Sequence, residues 1–209
     1  MNKIFICLTA TVISLLSSCG HILTKSNTYD TSSSVVINGA KVSSGVKPNG
    51  GKAGFSISAM IYMAGSAKLE GPFKWRIEAE GKSDEHLSMV VHRLKVETSK
   101  TKRNEWYDRK KLGVRTKFVS YKKEAGKSFA VYQIPGILKV FPKEDGNISI
   151  IADITITSKK RSERKLVKFS LAAEHDKKET EFLFFPAEIV NSFGQRDPRE
   201  WKFDNNNNW

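Results

Sequence analysis

Ile148-Ser149-Ile150-Ile151-Ala152-Asp153-Ile154-Thr155-Ile156-Thr157 is the stretch that decides the fold. Ile148, Ile150, Ala152, Ile154 and Ile156 fall on one side of an extended chain, with Ser149, Asp153, Thr155 and Thr157 on the other. The period is two, as in a strand with one buried face, and not the 3.6 of a helix. After a polar link from Ser158 to Lys165, Val167, Phe169, Leu171 and Ala173 repeat the pattern. The two runs predict a long antiparallel hairpin whose apolar faces share one core.

The same alternation recurs outward from this hairpin. Phe55, Ile57, Ala59, Ile61 and Met63 alternate with Ser56, Ser58, Met60 and Tyr62, and Phe73, Trp75, Ile77 and Ala79 alternate with Lys74, Arg76, Glu78 and Glu80. Weaker strands are predicted at Leu87 to Val96, Lys117 to Tyr121, Phe129 to Ile134 and Ile137 to Phe141, with Pro135-Gly136 as a bend. Phe182 to Phe185 is apolar on both faces and belongs in an interior. Pro186 to Val190 before Gly194, and Asn104 to Leu112, are the helix candidates. This pattern predicts an all-β fold: a single antiparallel β-sandwich, ahead of a barrel, over residues 54–204, with a polar tail at 205–209.

The chain has 209 residues, a formal charge of +13, 39% apolar residues and 10% aromatics, enough for a core and against wholesale disorder. Its long uncharged apolar stretch, Ile4 to Leu16, follows Lys3, is too short to span a bilayer and has the size of a signal-peptide core. Leu16-Ser17-Ser18-Cys19 closes it. This N-terminal segment resembles the lipobox of bacterial lipoproteins, and the resemblance covers nothing further along the chain. It implies cleavage before Cys19, a diacylglycerol on its thiol and acylation of its new amino group. Membrane attachment through acyl chains would then be durable. Gly20 and His21, rather than Asp, follow Cys19; the resemblance therefore implies the outer membrane of a two-membrane organism. Cys7 lies within the signal, so the exported chain offers no disulfide.

Residues 19–53 are rich in Ser, Thr, Asn, Gly and Lys and read as the lipidated Cys followed by a flexible tether, in which Ser34 to Ile37 is one short strand candidate.

Chemistry-bearing patterns are sparse. His86 and His92, six apart, share a face with Asp84 on an unbroken strand, but no second cluster supplies the remaining ligands of a metal site. His175 reads as a loop tip, and His21 falls in the tether. Nucleophile elbows, penicillin-binding motifs and phosphate-cradling glycine patterns are absent, and no cofactor is called for. Asp84-Glu85 and Glu144-Asp145 sit beside turn residues, where acids serve solubility.

Charge placement stands above this background. Lys95 to Lys127 holds twelve basic residues against four acidic ones, interleaved with Trp106, Tyr107, Phe118 and Tyr121. Cations mixed with aromatics suit a polyanion with stackable rings, and Lys102, Arg103, Trp106, Arg109, Lys110, Lys111, Arg115 and Lys117 are the candidate contacts. Export makes anionic glycans or lipid headgroups nearer partners than nucleic acid. A second cluster, Lys159, Lys160, Arg161, Arg164, Lys165 and Lys168 against Glu163, spans the hairpin turn. The plain alternative for both is a solvated surface whose lysines keep strand edges apart. The sequence thus predicts a lipid-anchored envelope protein that binds or scaffolds. A hydrolase of envelope polysaccharide or peptidoglycan is the first alternative, and a subunit of a secretion or assembly complex the second.

Overall fold

The computed structural model describes residues 19–30, 33–58, 62–184, 197–199 and 201. They form an all-β chain: β1 (Cys19–Tyr29), β2 (Val35–Ile37), β3 (Ala40–Ser58), β4 (Tyr62–Lys82), β5 (His86–Thr98), β6 (Asn104–Trp106), β7 (Arg115–Lys117), β8 (Val119–Ser120), β9 (Lys127–Gln133), the short helix α1 (Pro142–Asp145), β10 (Ile148–Ser158), β11 (Ser162–Leu171) and β12 (Ala173–Phe184). A seven-stranded sheet runs β12-β1-β4-β3-β2, with β9 on β4 and β8 on β9; a five-stranded sheet runs β11-β10-β5-β6, with β7 also on β5.

The predicted hairpin is there. Ile148 pairs with Leu171 and Thr157 with Ser162. Ile148, Ile150, Ala152, Ile154, Ile156, Val167, Phe169 and Leu171 are buried, on the face that the alternation assigns. Its turn is shorter than expected. Ser162 to Lys165 continues the strand, and only residues 159–161 link the two arms.

Several expectations need correction. The strands divide between two compact units, where the sequence predicts one domain. Of the described residues, the smaller holds 19–26, 50–58, 62–69 and 176–184, and the larger holds 27–30, 33–49, 70–175, 197–199 and 201. The 19 residues of β3 and 21 of β4 serve both, far more than the usual five or six of a strand. In the smaller unit β1 lies parallel to β4, from Cys19 opposite Tyr62 to Ser26 opposite Leu69, so the fold is not purely antiparallel. The long excursion between the two strands permits that direction.

The flexible tether is likewise replaced by β1, β2 and most of β3. In the larger unit Tyr29, Ile37, Ala40 and Val42 are core residues, and burial of such side chains outweighs the loop-like composition around them. Asn38 and Gly39, both at positive φ, close the two-residue turn between β2 and β3, the Asn-Gly signature of a tight hairpin.

Elsewhere in the larger unit, Asn104 to Leu112 is not a helix but β6 and one 3-10 turn at Arg109–Lys111, capped by the Asp108 carboxylate. Lys117 to Tyr121 breaks at Phe118, where the chain leaves β5 for β9, so β7 and β8 lie in different sheets. Ile137 to Phe141 is not a strand. Leu138 alone exchanges backbone hydrogen bonds with Phe73, at 2.8 and 2.9 Å, before Pro142 opens α1. The proposed signal, residues 59–61, the helix candidate at 186–190 and the polar tail lie outside the described residues.

Candidate basic face of the five-stranded sheet

Since Ile150, Ala152, Ile154 and Ile156 point into the core, the alternate residues of β10 and their cross-strand partners form the opposite face. Across it, Asp153 pairs with Arg93 of β5 and Leu166 of β11; Thr155 pairs with Val90 and Arg164; Ile151 pairs with Lys95 and Lys168. Toward the other edge Lys95 pairs with Trp106, Val90 with Arg115 and Ser88 with Lys117. Arg93, Lys95, Arg115, Lys117, Arg164 and Lys168 thus share one face.

Two carboxylates, Asp153 and Glu97, stand among these six cations. Asp153 is nearly fully buried, and Arg164 grips it through two bonds, Nε to Oδ1 at 2.9 Å and Nη2 to Oδ2 at 2.7 Å. Arg93 Nε adds a third at 3.2 Å. The hydrogen bond from Arg164, followed by that from Arg93, outweighs burial and pulls the Asp153 pKa down to about 2. Glu97 lies between Lys95 at 2.9 Å and Lys168 at 3.4 Å. Arg115 Nε donates to Ser88 Oγ at 2.9 Å. These bonds orient the cations without cancelling them, because each acid faces two.

Trp106 and Leu166 add exposed apolar surface to this face, 58% and 61% accessible. The Trp106 ring has Arg93 Cζ at 5.8 Å and Lys95 Nζ at 5.7 Å from its centroid, within reach of cation–π attraction.

Of the eight candidate contacts, Trp106, Arg115 and Lys117 lie on this face. Arg109, Lys110 and Lys111 are exposed on the 3-10 turn joining β6 to β7. Lys102 sits in the β5–β6 turn at positive φ. Arg103 forms a two-pronged pair with Glu105 at 3.1 and 2.8 Å and donates to the Lys139 carbonyl. By local spacing Arg164 and Lys168 fall in a separate cluster, and the basic segment starts at Lys95, beyond Arg93. The available signal was the odd-numbered set of the 148–157 strand, continued onto its neighbours.

The histidines do not share a face. The β5–β10 register slips twice, at Leu87 and at His92, so two extra residues intervene between His86 and Arg93. His86 points inward. Its Nδ1 accepts from the Lys82 N–H at 3.0 Å and its Nε2 donates to the Asn38 carbonyl at 3.0 Å. Gly81 must lack a side chain here, since a Cβ would stand 2.6 Å from this ring. His92 lies on the basic face with Nε2 2.8 Å from Thr155 Oγ1. Burial, then Arg164 and Arg93, hold its pKa below the ordinary value against the pull of Asp153. Among the described residues no group of three metal-ligating side chains occurs.

The other sheet's polar face is differently organised within the larger unit. A groove of about 260 Å³ is lined by Lys41, Ser43, Glu78, Glu80, Phe129 and Arg199. Glu78 pairs with Arg76 at 2.8 Å, Glu80 with Lys127 at 2.9 Å, and Arg199 with Asp197 at 2.7 Å and with Glu124. The Arg199 guanidinium covers Phe129, and Trp201 lies on Arg76. Here acid and base are matched. Comparison with protein-family models, with curated proteins and with solved structures found no match to this chain.

Proposed function

We propose that the protein is a lipid-anchored component of a bacterial outer membrane, held by acyl chains on Cys19, whose five-stranded sheet binds an anionic polymer or surface of the envelope. The observation that carries this reading is the gathering of six cations from three strands, β5, β7 and β11, onto one face with two carboxylates. Such a field attracts polyanions over a Debye length and gains from counterion release. The hydrolase reading gains nothing comparable, since Glu78 and Glu80 are each engaged by a cation.

The test is binding of the full chain to phosphatidylglycerol vesicles and to acidic glycan. Affinity should fall about tenfold or more between roughly 50 and 200 mM salt. Reversing Arg115, Lys117 and Lys168 to Glu should abolish it, whereas an equal reversal of exposed Lys159, Lys160 and Lys178 should not. Arg93 and Arg164 stay intact because they cover Asp153. Equal losses from both triple variants would reduce the face to general surface charge.

A further inference from the structure

At the edge of the basic face lies a groove of about 170 Å³ whose walls include Trp75, Trp106, Tyr107 and Leu138, with Arg103 and Lys139 at its polar side. A cavity of about 150 Å³ accepts a single six-membered ring, so the groove is scaled for one ring. Three features narrow the chemistry of an occupant. Trp106 offers a largely exposed indole, with Arg93 and Lys95 beside it. Trp75 is 2% exposed and packs edge-on against Tyr107, ring centroids 5.3 Å apart, so this wall of the groove is aromatic and fixed. Arg103 and Lys139 outnumber the one acid of the groove, Glu105.

An acyl chain would fill the apolar wall and leave the cations of the polar side without an anion. An aromatic side chain of a protein partner would do the same. A sugar ring has apolar C–H faces for the indole and oxygens around its rim for Arg103 and Lys139, and an acidic sugar answers the surrounding cations. We propose that this groove is a ring subsite for an acidic glycan, seated on Trp106, with the glycan's oxygens toward Arg103 and Lys139. The proposal rests on the polyanion reading of the adjoining face and names the ligand class for it.

The full chain is titrated with a trimer of galacturonic acid, with the methyl ester of that trimer, and with phosphatidylglycerol vesicles, following heat and indole fluorescence. The acidic trimer should bind and perturb the fluorescence, and its ester should bind about tenfold more weakly as the charge is lost. Trp106→Ala should weaken the trimer about tenfold, and more than it weakens vesicle binding. Lys139→Gln, which removes a cation from the polar side of the groove, should weaken the trimer severalfold. Trimer binding indifferent to Trp106→Ala overturns the subsite, as does failure of the wild type to bind the trimer. Parallel loss of vesicles and trimer in Trp106→Ala overturns the sugar assignment in favour of an acyl chain. The polyanion reading fails separately, if reversal of Arg115, Lys117 and Lys168 leaves both ligands bound.

Discussion

The Asn38 carbonyl accepts a hydrogen bond from His86 Nε2 at 3.0 Å, tying the turn between β2 and β3 to the start of β5 across 48 residues of chain. The same asparagine sends Nδ2 to the carbonyls of Ile156 and Arg161 at 3.2 and 3.0 Å, and accepts from Arg161 Nε at 3.0 Å. One side chain and one ring therefore lock two hairpin turns together. His86→Ala should destabilise the protein by about 1–3 kcal/mol, by stripping partners from buried backbone groups. Gly81→Ala should also destabilise it in chemical denaturation, through the clash with the His86 ring. In the His86→Ala background that second loss should shrink, and two penalties that simply add would separate the residues.

Asp153 supplies a pH signature. Its folded pKa, about 2, lies below the ordinary value of 3.8, so its stabilisation is fully present above pH 4 and is lost as pH falls toward 2. An Asp153→Asn variant should be about 1–2 kcal/mol less stable at pH 6, with the difference closing in that acid window. Thermal melts from pH 6 to 2 measure it, and a constant difference would mean that the arginine pairing contributes nothing.

The register of the hairpin can be checked by two adjacent substitutions. Ile154 is fully buried, and Ile154→Asp should cost more than about 4 kcal/mol or prevent folding. Thr155, on the basic face beside Arg164, should tolerate Asp within about 1 kcal/mol. Equal effects at the two positions would reverse the face assignment.

The anchor is tested by mass spectrometry of the N-terminal peptide from cells. A diacylglycerol and fatty acyl mass on a peptide beginning at Cys19 is expected, and Cys19→Ser should leave an unacylated species because the transfer needs the thiol. An unmodified peptide with another start would end the lipoprotein reading.

The strands that the sequence makes legible are those with unbroken alternation. Ile148 to Ile156 reads correctly because no bulge interrupts its apolar face. β5 reads weakly because Leu87 and His92 each shift the phase, which also creates the apparent pairing of His86 with His92. The tether reading fails on composition: Ser and Gly conceal the Asn38-Gly39 hairpin and the alternation of Ala40, Val42 and Ser44. Among the candidate contacts, Trp106, Arg115 and Lys117 were legible because chain neighbours stay close in short strands. Arg93, Arg164 and Lys168 join them only through cross-strand register, which local spacing does not contain.

The bulge at His92 makes the length of β5 negotiable at one point. Val91 and Arg93 already pair with the consecutive residues Ile154 and Asp153, so deleting His92 would join them in regular alternation and leave every other side chain on its present face. Deleting Lys95 instead would turn the residues beyond it inside out, carrying Glu97 into the core and Val96 into water. Related chains that differ in length by one residue in this strand should therefore show the gap at His92.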